Sequence, residues 1–140
     1  MKPEFLTLDE ILEIHRDQID RYGGEPGIRD MGLPESAAAM PMAGIFRRYL
    51  HRGFFEMAAA YTFHIIRNHP FLDGNKRTGA VAALVFLSLD GIGIEADESA
   101  FESIVRSVAA GEANKQTVAD FLRKHARQTV TGVEERVGRR

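Results

Sequence analysis

His69-Pro70-Phe71-Leu72-Asp73-Gly74-Asn75-Lys76-Arg77-Thr78-Gly79 is the stretch on which the reading of this chain turns. Before it, Phe54 to Asn68 carries Met57, Ala58, Ala59, Ala60, Tyr61, Phe63, Ile65 and Ile66, with almost no polar face. After it, a segment from about Lys76 to Leu89 carries Val81, Leu84, Val85, Phe86, Leu87 and Leu89. Helices that are apolar nearly all round are expected at the centre of a core. A polar loop therefore joins two buried helices. Pro70 disfavours helical geometry at His69, so the first helix should stop there. Phe71 is the expected apolar anchor of the loop, Asp73-Gly74 its tight turn, and Asn75 the cap of the second helix.

Lys76 and Arg77 then fall in a first helical turn, where exposed amides already make the end positive and each cation is unfavourable by ~0.3–1 kcal/mol. Two cations beside free amides make sense when an anion occupies the site. Charge-assisted hydrogen bonds of roughly 1.5–3 kcal/mol apiece would outweigh the repulsion. Asp73 beside such a cradle can hold a magnesium ion that also takes phosphate oxygens. His69 at the loop's entrance can serve as general base toward a hydroxyl. Together these describe phosphoryl or nucleotidyl transfer. The segment is not a Walker A loop, because Gly74-Asn75-Lys76-Arg77-Thr78-Gly79 lacks that order. Each residue alone also fits a plain structural role: a capping histidine, an Asp-Gly turn, an asparagine cap, two solvated cations. On residue chemistry alone both readings stand.

Outward from this loop, helices dominate. Thr7-Leu8-Asp9-Glu10 has capping-box order, and Leu8, Ile11, Leu12, His15, Ile19 and Tyr22 follow at helical spacing until Gly23-Gly24. Glu25 to Gly32 reads as an ordered loop. Leu33 to Met40 reads as a short helix started by Pro34 and closed by Pro41. Met42 to Gly53 is a weak, basic, aromatic-bearing segment containing Arg47, Arg48 and Arg52, fit either for solvent or for docking a partner. Asp97 or Ser99 can cap a helix through Phe101, Ile104, Val105 and Val108 to Gly111. Asn114 to Ala126 is a last amphipathic helix. Ile92-Gly93-Ile94 is the one strand candidate. The expected architecture is all-α, a single bundle of about six helices. The domain should span 1–126, with 127–140 a polar, flexible tail.

Composition agrees with a single globular domain. The 140 residues include 18 Lys+Arg against 20 Asp+Glu, a net charge of −2, with 44% hydrophobic and 27% charged residues. Near-neutrality argues against nucleic-acid coating, which needs a cationic excess. The absence of cysteine excludes disulfides, zinc-thiolate sites and cysteine catalysis, and fits a reducing cytosol. No run is apolar enough to span a membrane. His64 lies five residues before His69, off its face, and is expected to pack and hydrogen-bond, which disfavours a two-histidine metal site with Asp73. His15, His51 and His125 have no catalytic context.

The run His69-Pro70-Phe71-Leu72-Asp73-Gly74-Asn75-Lys76-Arg77-Thr78 resembles the signature of the Fic/Doc (Fido) superfamily, His-x-Phe-x-(Asp/Glu)-Gly-Asn-Gly-Arg-x-x-Arg. Gly27 to Ala37 is similar to the upstream element of its death-on-curing (Doc) branch, and Phe55 to Tyr61 to the helix before the motif. The likeness covers roughly Phe5 to Ala126. It implies a Fido-type bundle. His69 would be the general base, Phe71 the core anchor and Asp73 the magnesium ligand. Gly74 and Asn75 would line the anion hole, with Lys76 and Arg77 at the phosphates. Two positions depart from AMP-transferring Fic enzymes. Lys76 stands at their second glycine and Ala80 at their second arginine, and both departures match Doc, which transfers the γ-phosphate of ATP.

The resemblance implies the toxin of a type II toxin–antitoxin pair, a cytoplasmic, bacterial or phage-encoded kinase using ATP and Mg2+. Its target would be a threonine of elongation factor Tu, and its partner a Phd-like antitoxin that itself carries the DNA-binding part. The alternatives are AMP transfer to a protein hydroxyl, or a catalytically silent binding module with this fold.

Overall fold

A computed structural model describes residues 2–45, 48–49, 51 and 53–128. Arg47 and Arg52 of the basic segment, and the tail beyond 128, lie outside the described residues. The first helix, α1 (Leu8–Tyr22), begins at the full capping box: the Glu10 amide donates to Thr7 Oγ1 at 3.1 Å, and the Thr7 amide donates to Glu10 Oε1 at 2.8 Å. Ile11, His15, Gln18 and Ile19 form its buried stripe, and Gly23 at φ 85° ends it. Helix α2 (Gly32–Ala39) follows, with Pro34 in its first turn. Pro41 does not simply stop the chain, because Met40–Met42 continue as one 3-10 turn with the proline inside it.

Helices α3 (Phe54–Asn68) and α4 (Asn75–Leu89) pack on each other at the centre of the molecule. The contact is close because it is built on small groups. Gly79 lies against the Thr62 carbonyl, where an added Cβ would come to 3.1 Å, and Thr62 Oγ1 donates to the Gly79 carbonyl at 2.8 Å. Tyr61, fully buried, accepts from the Leu6 amide at 2.8 Å and ties the N-terminal segment to α3. Its ring, with Phe5 and Phe54, surrounds Phe86 of α4. Of the apolar residues expected in the core from α4, Phe86 and Leu87 are buried. Val81 and Leu84 line a surface cleft and Leu89 is 43% exposed. Helix α4 is apolar on two sides because one faces the core and the other a cavity.

Helices α5 (Glu98–Ala109) and α6 (Lys115–Lys124) complete an all-α architecture of six helices among the described residues. Phe101 of α5 stacks on Phe121 of α6 at 5.4 Å. Asn114 caps α6 by accepting from the Thr117 amide at 2.9 Å.

Strands are more numerous than expected. In the weak segment, β1 (Gly44–Ile45) pairs antiparallel with β2 (Arg48–Tyr49). The expected strand β3 (Ile92–Ile94) pairs antiparallel with β4 (Ala126–Gln128), Ile94 opposite Ala126. The last helix therefore stops at Lys124 rather than Ala126, and Arg127 and Gln128 belong to the fold instead of a tail. The polar composition of this stretch suits an edge strand, whose solvent-facing side chains need not be apolar.

Candidate active site

The loop between α3 and α4 is held from three directions. His69 is the C-cap of α3 at φ 52°, ψ 55°, the one non-glycine residue with positive φ among those described, and its side chain is exposed. Phe71 is fully buried, as an anchor should be. Its backbone bridges to Ile28, flanked by hydrogen bonds from the Arg29 amide to the Pro70 carbonyl (2.7 Å) and from the Leu72 amide to the Gly27 carbonyl (2.9 Å). From below, His15 of α1 lies flat on the Phe71 ring, centroids 3.7 Å apart and planes within 7°, and its Nε2 meets the Asp73 carbonyl at 2.9 Å. A carbonyl only accepts, so Nε2 carries the proton in this contact. Burial pushes the His15 pKa down, against the opposing pull of the Asp73 carbonyl and charge.

Asn75 does not cap α4 as expected. It is the first helical residue, and its amide side chain turns back to the loop, accepting from the Phe71 amide at 3.0 Å and donating to the Phe71 carbonyl at 2.9 Å. This reciprocal pair outcompetes capping because it satisfies both main-chain polar groups of the buried Phe71. The cap position falls to Gly74, at φ 78°, which has no side chain to offer. The first amides of α4 therefore have no side-chain cap, the arrangement that attracts anions.

The residues at this helix start line a cleft of about 620 Å³ between α1, the loop, α4 and α5. Asp73, Gly74, Asn75, Lys76 and Arg77 line one side, Ala80, Val81 and Leu84 continue along α4, and Glu98, Glu102 and Arg106 of α5 face them. Five of the six residues singled out in the sequence thus share one wall. His69 does not line this cleft; it stands at the other end of the loop. The Asp73 carboxylate accepts from the Gly74 amide (3.1 Å) and the Glu25 amide (3.3 Å), and Gly24 approaches so closely that a Cβ there would lie 2.9 Å from Oδ2. Arg77 reaches back to α1, donating to the Gly23 carbonyl at 3.0 Å with its guanidinium 5.2 Å from the Tyr22 ring centroid. Lys76 is exposed.

No cluster of three or more His, Cys, Asp or Glu side chains suited to a metal occurs among the described residues. One carboxylate next to an anion-binding helix end fits a magnesium ion that arrives on phosphate oxygens and keeps waters, rather than one caged by protein. His64 packs as expected, edge-on to Phe63, with Nε2 3.2 Å from Lys115 Nζ; His51 Nε2 meets the same ammonium at 3.0 Å. His15 and Arg29 are the residues at the loop that sequence reasoning passed over. A histidine inside the apolar stripe of α1, and an arginine in a Gly/Pro-rich loop, were the available signals.

The class of protein to which this six-helix bundle belongs follows from its sequence: the chain is a member of the Fic/DOC family, whose model covers residues 5–87. It is 34% identical over 119 residues to "Protein kinase doc" of Escherichia phage P1, covering 85% of this chain and 93% of that protein. It is also 34% identical over 113 residues to "Toxin Doc" of Mycolicibacterium smegmatis, covering 79% and 87% respectively.

Proposed function

We propose that the chain is a Doc-type toxin that transfers the γ-phosphate of ATP to a protein hydroxyl. The observation that carries this reading is the cleft at the uncapped start of α4, where Asp73 and Lys76 adjoin free amides and Ala80 stands in place of a second arginine. The names and coverage of the two relatives support it. In this reading the triphosphate lies against the amides of α4, with Lys76 and Arg77 offsetting its charge. Asp73 would hold Mg2+, which when bound neutralises charge on the phosphate oxygens. The acceptor approaches from the His69 end of the loop, and the imidazole takes the hydroxyl proton. The acceptor oxygen bonds to the γ-phosphorus as the bond to the β–γ bridging oxygen breaks, leaving ADP and a phosphorylated side chain.

The acceptor is a threonine of elongation factor Tu, as the Doc resemblance implies, and translation stops as a result. The partner is a Phd-like antitoxin in the cytoplasm. No helix among the described residues is long and apolar enough to cross a membrane.

The test incubates the protein, Mg2+ and elongation factor Tu with ATP labelled at the α- or the γ-phosphate. Label should pass only from the γ position, and His69→Ala should lower the rate by about 10²–10⁴. Label retained only from the α position would make this an AMP transferase, and no transfer with toxicity intact in both His69→Ala and Asp73→Ala would make it a binding module.

A further inference from the structure

Three consecutive carbonyls close α3 and open the loop, those of Asn68, His69 and Pro70, and Arg29 engages all of them. Its Nη1 donates to the His69 carbonyl and, at 3.4 Å, to the Asn68 carbonyl; its backbone amide donates to the Pro70 carbonyl at 2.7 Å. Carbonyls at a helix C-terminus lack intrahelical partners and form the negative end of the dipole, so a guanidinium is well matched to them. The peptide they flank is the unusual one. A left-handed conformation costs a non-glycine residue roughly 1–2 kcal/mol, and glycine is the ordinary choice after a helix. Here a histidine adopts it, with a β-branch-free but bulky ring, at the one such position among the described residues. The cost persists only where the surroundings over-determine the backbone.

We infer that Arg29 is a positioning residue: its guanidinium fixes the left-handed backbone from which the His69 imidazole projects. This rests on the reading of His69 as the base. The Arg29 side chain is exposed, and the backbone strip from Gly27 to Arg29 along Pro70 to Leu72 does not depend on it. Removing the guanidinium therefore frees one dihedral pair without dismantling the loop.

The test compares wild type with Arg29→Ala and Arg29→Lys. Arg29→Ala should lower kcat by about tenfold or more, since small misplacements of a reacting group reach 10². KM for ATP and the urea midpoint should hold, because neither the α4 wall nor the core changes. Arg29→Lys should recover part of the rate, and added guanidinium ion should restore activity to Arg29→Ala alone. In parallel, the backbone carbon shifts of His69 by NMR should move in Arg29→Ala and return with guanidinium. Unchanged kcat with unchanged His69 shifts overturns the inference, as does a loss that falls on ATP binding or on stability instead. If the wild type transfers no phosphate, the function fails separately, and the His69 shifts alone decide the role of Arg29.

Discussion

His15 shows how much a single side chain does beneath the loop. One face of its ring covers Phe71, and one N–H supports the Asp73 carbonyl 58 residues away. It also limits the space under Gly74, where an added Cβ would approach its Cδ2 to 3.6 Å and Ile19 Cδ1 to 3.2 Å. Replacing it with leucine keeps apolar bulk but removes the donor from a part-buried carbonyl, a loss of about 0.5–1.5 kcal/mol. His15→Leu should lower the urea midpoint by that equivalent and reduce γ-phosphate transfer as well, because the Asp73–Gly74 turn loses its support. His15→Gln, which can still donate, should recover part of both. In the sequence His15 reads as one more member of a helical stripe, and Asn75 as an ordinary cap. Their real partners, Asp73 and Phe71, are set by tertiary contact, which no local pattern encodes. The contiguous residues Asp73 to Arg77 were legible together because one turn of backbone brings them to one wall.

The helices were readable because each carries its own signals: Thr7 and Asn114 as caps, Gly23 and Gly111 as stops, alanines and aromatics on the central pair. Strand β4 was not, since Ala126–Gln128 is polar and short and acquires its conformation only by pairing with Ile92–Ile94, more than thirty residues earlier. The crossing of α3 and α4 also carries a testable constraint. A methyl group on Gly79 would lie 3.1 Å from the Thr62 carbonyl, which is backbone, and 3.2 Å from Cγ1 of the buried Ile66 side chain. Gly79→Ala should destabilise the protein by about 1–3 kcal/mol through overpacking, after an offset of up to about 1 kcal/mol from better helix propensity. Equilibrium unfolding in urea measures the net effect. A stabilised variant would mean that the helices separate more freely than their contact suggests.

Across the whole molecule, three partly or fully buried histidines respond to acid in the same direction. Burial lowers the pKa of His15, His51 and His64, the last to about 4, with the Lys115 ammonium adding to the effect on His51 and His64. Each lowered pKa means that the unfolded chain binds protons before the folded one does. Their contribution to stability is therefore complete above the ordinary histidine value of about 6.5 and is lost as pH falls toward about 4. The thermal midpoint should drop across that window, and His64→Gln should flatten the slope. An unchanged slope in that variant would show that other groups govern the acid limb.

The order of these parts along the chain has a temporal meaning. The strip at Gly27–Arg29 is synthesised before the loop it grips, and the loop before the α5 wall bearing Glu98, Glu102 and Arg106. A nascent chain therefore holds its loop's scaffold early but encloses the cleft only once α5 has left the ribosome. Premature termination anywhere before that helix therefore yields a product whose cleft lacks the wall formed by Glu98, Glu102 and Arg106.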